Sequence, residues 1–214
     1  MRDAVIFDMD GLLLDTERIS LAAYHETCAD FGLGFDQTLY DSLIGCNMVH
    51  IEQMLTDKMD NFPGEPFMKM WQQIYHDEAV LKPVPVKEGV REFLEYLAVK
   101  NIPCAVATST GYEKAKQKLK NAELLDFFKD LSTGDQVQYS KPHPEIYLKA
   151  ARKIGFMPSE CLAIGDSDNG VRAAHGAEML VFQIPDLITP SKEVRKLGHI
   201  IVDSMKDVHQ RFLD

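Results

Sequence analysis

No stretch of this chain is long and apolar enough to cross a bilayer, and no apolar leader opens it, so a cytoplasmic protein with no membrane contact is expected. Cysteine is scarce. The four present (Cys28, Cys46, Cys104 and Cys161) are far apart and form no Cys-x-x-Cys pair. That excludes a disulfide framework and a zinc ribbon and leaves reduced core or lining residues. Positive charge is in deficit: 23 Lys and Arg stand against 33 Asp and Glu, a formal net charge of -10. A nucleic-acid or anionic-membrane partner would require a basic face, so neither is expected. A small anionic substrate stays compatible, because a metal ion and one or two lysines can invert the field locally. Repeats and low-complexity tracts are also absent. What the chain does have is apolar content, 45% of 214 residues, enough for one large domain or one domain with an insert.

The chain is organised around Val5-Ile6-Phe7-Asp8-Met9-Asp10-Gly11-Leu12-Leu13-Leu14-Asp15-Thr16. A short apolar run rich in β-formers reads as a buried parallel strand, and it stops at a carboxylate. Ligands of open α/β sheets gather at the carboxyl ends of such strands, so Asp8 stands where chemistry usually happens. Asp10 follows two residues later, and Gly11 lets the backbone leave sharply. Two carboxylates this close are tolerated best with a cation between them or a proton on one of them.

Residues 17–31 then carry apolar positions at helical spacing (Ile19, Ala22, Ala23, Cys28, Phe31). Further helices are expected over 36–44, over 49–59 and around the stripe Phe67, Met70, Trp71, Ile74, Tyr75, so residues 16–82 read as helical throughout. After Pro83-Val84-Pro85 the text alternates. Helices over 87–100, 111–121, 143–155, 168–176 and 204–212 interleave with strands near 103–108, 129–133, 161–165, 179–182 and 199–202. Such alternation predicts a Rossmann-like parallel sheet, α/β in class, with right-handed crossovers and an all-helical cap inserted at its carboxyl edge. The expected division is a core of 1–15 and 83–214 and a cap of 16–82, with hinges near 12–17 and 80–86.

Four places could carry chemistry, three of them after expected strands. They are Asp8 with Asp10, Thr108-Ser109-Thr110, Lys141 in Ser140-Lys141-Pro142-His143-Pro144, and Gly165-Asp166-Ser167-Asp168. Hydroxyls and N–H groups between a strand and a helix form an anion cradle. Pro142 fits the first turn of the helix that follows Lys141. Together these groups offer carboxylates for Mg²⁺, a cation and donors for phosphoryl oxygens, and one carboxylate free to attack. Asp168 reads as a first-turn helix acid, and Asp15 with Thr16 as the start of the cap helix. His143 and His175 read as surface or packing residues.

In this order and spacing the motifs resemble those of the haloacid dehalogenase superfamily, in the branch of phosphatases and β-phosphoglucomutase-like enzymes with a small helical cap. The resemblance covers essentially the whole chain. It implies that Asp8 is the nucleophile, forming an aspartyl phosphate, and that Asp10 protonates the leaving oxygen and then activates water. It also implies that Thr108, the Ser109 N–H and Lys141 hold the phosphoryl group. Mg²⁺ would be bound by Asp8, Asp166 and the main-chain carbonyl of Asp10. By family analogy Gly45, Cys46 and Asn47 belong to a substrate-specificity loop. The chain departs from the mutase pattern at three positions. Gly165 replaces an acid, Ser20 replaces a His, and Met48 stands where an Arg would grip a second phosphate. The last two favour Mg²⁺-dependent hydrolysis of a small phosphorylated metabolite, a sugar phosphate or nucleotide-like ester, by a protein expected to be monomeric. A mutase-type phosphotransferase is the alternative, and a non-catalytic sensor of phosphate ligands is the alternative of another class.

Overall fold

The computed structural model describes residues 2–44, 46 and 48–213. Strand β1 (Ala4–Phe7) leads into α1 (Thr16–Asp30), α2 (Gln37–Leu43), α3 (Met48–Lys58) and α4 (Glu65–Ala79). The alternating part follows as α5 (Val90–Val99), β2 (Cys104–Thr108), α6 (Tyr112–Asn121), β3 (Phe128–Thr133), α7 (Glu145–Ile154), β4 (Cys161–Gly165), α8 (Asp168–Gly176) and β5 (Leu180–Gln183). A short α9 (Lys192–Arg195), β6 (Ile200–Ile201) and α10 (Met205–Leu213) close it.

The six strands form one parallel sheet in the order β3-β2-β1-β4-β5-β6. The order reverses beside β1, between β1 and β4, which is where open α/β sheets present a crevice. Two-residue alternation separates the two faces. Val5, Phe7, Val106, Leu162 and Ile164 pack against Phe93, Leu97, Leu119 and Phe212 of α5, α6 and α10. Ala4, Ile6, Ala105, Ala107 and Ala163 face Tyr147, Ala150 and Ala174 of α7 and α8. Alanine on the strands and alanine on the helices bring this second layer close. Fully burying a side chain the size of Phe7 is worth about 1.5–3 kcal/mol.

Helices α1 to α4 enclose a separate apolar cluster around Tyr24, Tyr40, Phe67 and Trp71. Tyr24 lies 5.1 Å from both Tyr40 and Trp71, ring centre to ring centre. Two residues differ from expectation. Met68, not Met70, joins Phe67 and Trp71 in this cluster, because the buried stripe runs i, i+1, i+4 rather than through i+3. Ala22 is exposed, and Tyr24 and Thr27 of α1 are buried instead.

The helical insert joins the sheet layer through two neighbouring connections. The Asp15 N–H donates to the Pro85 carbonyl and the Lys87 N–H to the Leu13 carbonyl, at 2.9 and 3.0 Å. Asp186 accepts from both Arg18 (2.9 Å) and Lys87 (2.6 Å) beside them. One helix start is also corrected. Pro142 lies outside α7: a turn closed by the His143 N–H on the Ser140 carbonyl comes first, and Pro144 is the N-cap. Glu145 then accepts the N–H groups of Gln138 and Tyr139, which fixes the loop that carries Lys141.

Candidate active site

The carboxyl ends of the strands bring the expected residues together. Asp8, Asp10, Thr108, Ser109, Lys141 and Asp166 all line one cavity of about 560 Å³, and Cys46, Ser20 and Met48 line its outer part. Gly45 and Asn47 lie outside the described residues. Asp168 does not line the cavity; its carboxylate accepts the Ser191 N–H at 3.1 Å and ties down the loop before α9.

Asp8 directly follows β1, and its N–H donates to the Ile164 carbonyl of β4 at 2.8 Å. One carboxylate oxygen accepts the Met9 N–H at 2.9 Å, and the other meets the Lys141 ammonium at 2.6 Å. Both side chains are almost wholly buried, so the pair is strongly desolvated. Asp166 follows β4 and faces Asp8. Burial, the charge of Asp8 and the charge of Glu17 push its carboxyl well above the usual carboxylate range, and Lys141 opposes them only in part.

Asp10 sits among donors. Its Oδ1 accepts from Lys118 Nζ at 2.8 Å and its Oδ2 from Thr110 Oγ1 at 2.7 Å. Burial alone would raise its pKa; the charge and hydrogen bond of Lys118, with the Thr110 hydroxyl, outweigh that and hold the carboxyl below its ordinary value. Lys118 itself is 1% exposed. Glu17, on the first turn of α1, also lines the cavity. Burial, followed by the charges of Asp10 and Asp186, pushes it up to about 7.

Lys118, Thr110 as the partner of Asp10, and Glu17 are the additions that local motifs did not single out. A signal for Lys118 was present. It occupies the i+3 position between Ala115 and Leu119, on the buried face of α6, where a lysine calls for a partner.

The loop expected to form an anion cradle is built by backing one turn against another. Thr108 Oγ1 accepts the Thr110 N–H at 3.1 Å, and the Gly134 N–H donates to the Thr110 carbonyl at 3.2 Å. A Cβ on Gly134 would stand 2.2 Å from the Ser109 carbonyl oxygen, a backbone atom that cannot turn aside. Gly134→Ala should therefore destabilise the protein by about 1–3 kcal/mol and displace the Ser109 loop. The checks are a lower Tm and weaker inhibition by inorganic phosphate; unchanged values for both would show that the loop yields freely.

The donor set suits a hard divalent cation. Two carboxylates, Asp8 and Asp166, stand at neighbouring strand ends, and the Lys141 ammonium, 2.6 Å from Asp8, offsets only part of their charge. Among the described residues no three His, Cys, Asp or Glu side chains gather as a metal cluster, and a hard cation here would complete its oxygen shell from carbonyl, amide or hydroxyl oxygens and water. Gly11 completes the cradle. Its φ is +76°, and a Cβ there would lie 2.5 Å from Asp166 Oδ2.

Residues 5–184 match the model of the haloacid dehalogenase-like hydrolases. The chain is 34% identical over 181 residues to a phosphorylated carbohydrates phosphatase of Thermotoga maritima, covering 82% of this chain and 81% of that protein. Hexitol phosphatase B of Escherichia coli is 29% identical over 189 residues, 85% of this chain and 83% of the relative. Among solved structures, CbbY of Rhodobacter sphaeroides, in complex with phosphate, superposes with a TM-score of 0.79 at 25% identity, covering 97% and 96% of the two chains. With that model matched over residues 5–184 and a relative 34% identical over 82% of this chain, the chain belongs to the haloacid dehalogenase-like hydrolase family.

Proposed function

We propose that this chain is a Mg²⁺-dependent phosphatase that hydrolyses the phosphate monoester of a small metabolite through a covalent intermediate on Asp8. The observation that carries the reading is Asp8 itself. It is a buried carboxylate at the switch point of the sheet, 2.6 Å from the Lys141 ammonium and beside a hydroxyl and N–H cradle. The relatives named for phosphorylated carbohydrates and hexitol esters support the same chemistry and favour a hydroxylated leaving group.

In the first step an Asp8 oxygen attacks phosphorus, the ester P–O bond breaks, and Asp10, ionised at rest beside Lys118, passes to the leaving oxygen a proton that it has first taken from solvent or from a monoanionic substrate. In the second, Asp10 takes a proton from water, the water oxygen attacks phosphorus, and phosphate leaves with Asp8 restored. Lys141, the Thr108 hydroxyl and the Ser109 N–H hold the transferring group, which in phosphoryl transfer is most of what a protein contributes. Asp8, Asp166 and the Asp10 carbonyl would hold Mg²⁺, which neutralises charge on the phosphoryl oxygens when bound. The cap, residues 16–82, would close over substrate about the paired connections at Leu13–Asp15 and Pro85–Lys87 and exclude water.

Hydrolysis is favoured over transfer between two phosphates by the outer half of the cavity. Among the described residues, α1 to α4 contribute Ser20, Tyr40, Trp71, Gln72 and Tyr75 there, and no lysine or arginine. A panel of phosphate monoesters tests the reading: phosphate release should require Mg²⁺ and stop with EDTA. With β-glucose 1-phosphate, a bisphosphate primer and Mg²⁺, phosphate should appear without efficient glucose 6-phosphate formation. Rapid isomerisation with negligible phosphate release would reverse the choice.

A further inference from the structure

Lys118 has no part in the steps above, yet it is the most deeply buried lysine side chain among the ion pairs. Its ammonium has two partners on different layers of the molecule. One is Asp10 Oδ1, 2.8 Å away in the loop after β1. The other is the hydroxyl of Tyr75, 2.7 Å away on α4 of the helical insert. The same ammonium lies 4.8 Å from the centre of the Tyr75 ring, at its hydroxyl end, so the phenol oxygen is what holds it. A buried ammonium is expensive to desolvate and must keep its partners. Moving α4 away from the sheet would strip Lys118 of Tyr75 and change how firmly it holds Asp10. Thr110 Oγ1 fixes the second oxygen of the Asp10 carboxylate, so Lys118 and Thr110 together set the plane of that group.

We infer that Lys118 is a positioning residue for Asp10, and that its contact with Tyr75 makes the aim of Asp10 depend on where the cap sits. The inference rests on the reading of Asp10 as the acid–base group. It adds a physical link from the cap to that group: a cap that is out of place leaves Asp8 intact but Asp10 loosely held. Phosphate esters that do not draw the cap into position would then be protonated poorly at the leaving oxygen, even when the cradle binds them.

The test uses the full-length protein with Mg²⁺ and two esters, p-nitrophenyl phosphate and an alkyl phosphate whose leaving group needs a proton. Lys118→Met should lower kcat/KM on the alkyl ester by about 10- to 100-fold, because a misplaced group loses rate steeply. On the aryl ester it should leave kcat/KM within about threefold, since that leaving group departs without the acid. Lys118→Arg should restore most of the loss. Tyr75→Phe keeps the ring and removes the hydroxyl, and should show the same selective loss to a smaller degree. In an Asp10→Asn background, Lys118→Met should not slow the first nitrophenolate release further, because a residue that acts through Asp10 has nothing left to act on.

Equal losses on both esters would overturn the inference, as would a slower first release in the Asp10→Asn background; either assigns Lys118 to phosphate binding or to the fold at large. Should Lys118→Met fail to fold by circular dichroism, Tyr75→Phe decides alone, and equal kcat/KM changes on the two esters would count against the link. A failure of the underlying reading looks different: Asp10→Asn itself would then turn over both esters at near wild-type rates.

Discussion

Asp8→Asn should lose turnover by about 10³-fold or more and keep its fold. The amide has no charge with which to attack phosphorus, and no other carboxylate can take its place. Asp166 stands at the end of the neighbouring strand, and Asp10 is held by Lys118 and Thr110. The fold should survive because two effects oppose each other. Lys141 loses its counter-ion at 2.6 Å, which destabilises. Asp166 loses the neighbouring charge that helps push its carboxyl up, which relieves a repulsion. Purified Asp8→Asn protein, with deamidation excluded by mass spectrometry, should melt near the wild-type temperature and still bind inorganic phosphate with Mg²⁺. Retention of more than a few per cent of wild-type turnover would remove Asp8 from the nucleophile's role.

Asp10→Asn should separate the two half-reactions. The main-chain carbonyl at position 10 is unchanged, so Mg²⁺ binding should persist. The amide can still offer its oxygen to Lys118, while its nitrogen donates to the Thr110 hydroxyl, which rotates to accept. What is lost is the proton for the leaving oxygen and the base for water. With p-nitrophenyl phosphate the variant should release up to about one nitrophenolate per active site and then stall as the aspartyl phosphate. With an alkyl phosphate even that burst should vanish. Near-wild-type steady turnover on both esters would show that Asp10 is not the acid–base group. A missing burst despite confirmed binding would place the defect in phosphorylation for every leaving group.

The inner half of this site was legible in the chain because buried strands announce where they stop. Val5-Ile6-Phe7 and Leu162-Ala163-Ile164 are apolar runs that end at Asp8 and at Gly165-Asp166, and the sheet places those ends side by side. The parallel sheet and the helical run over 16–82 were legible for the same reason: long periodic segments outlast local ambiguity. Lys118 was not legible in the same way. Helix α6 carries lysines at 114, 116, 118 and 120, and the one that turns inward is marked only by its spacing from the apolar Ala115 and Leu119, a far weaker signal than a strand that ends at an acid. Glu17 was hidden by a good ordinary explanation, since an acid in the first turn of a helix favours the helix dipole wherever it points. The start of α7 was misread because Pro142 and Pro144 satisfy the same local rule. The turn closed at His143, with the loop N–H groups that Glu145 accepts, decides between them.

Strand β1 sits in the middle of the sheet, yet both of its neighbours come late in the chain: Val5 pairs with Cys104 on one side and Leu162 on the other. During synthesis the wholly apolar Ala4–Phe7 emerges before either neighbour, with both edges open, and the seven helices α1 to α7 with β2 and β3 must follow before its second partner exists. At ribosomal speeds of about 5–20 residues per second that interval is on the order of ten seconds. Parallel pairings between such distant segments form slowly, because loop closure precedes any reward. An unpaired apolar strand is also a template for the wrong partner. The helical insert, whose own contacts are local, can fold during the wait. The site cannot: Asp8 and Asp166 meet only when β4 docks, so a nascent or refolding chain has its cap before it has a catalyst.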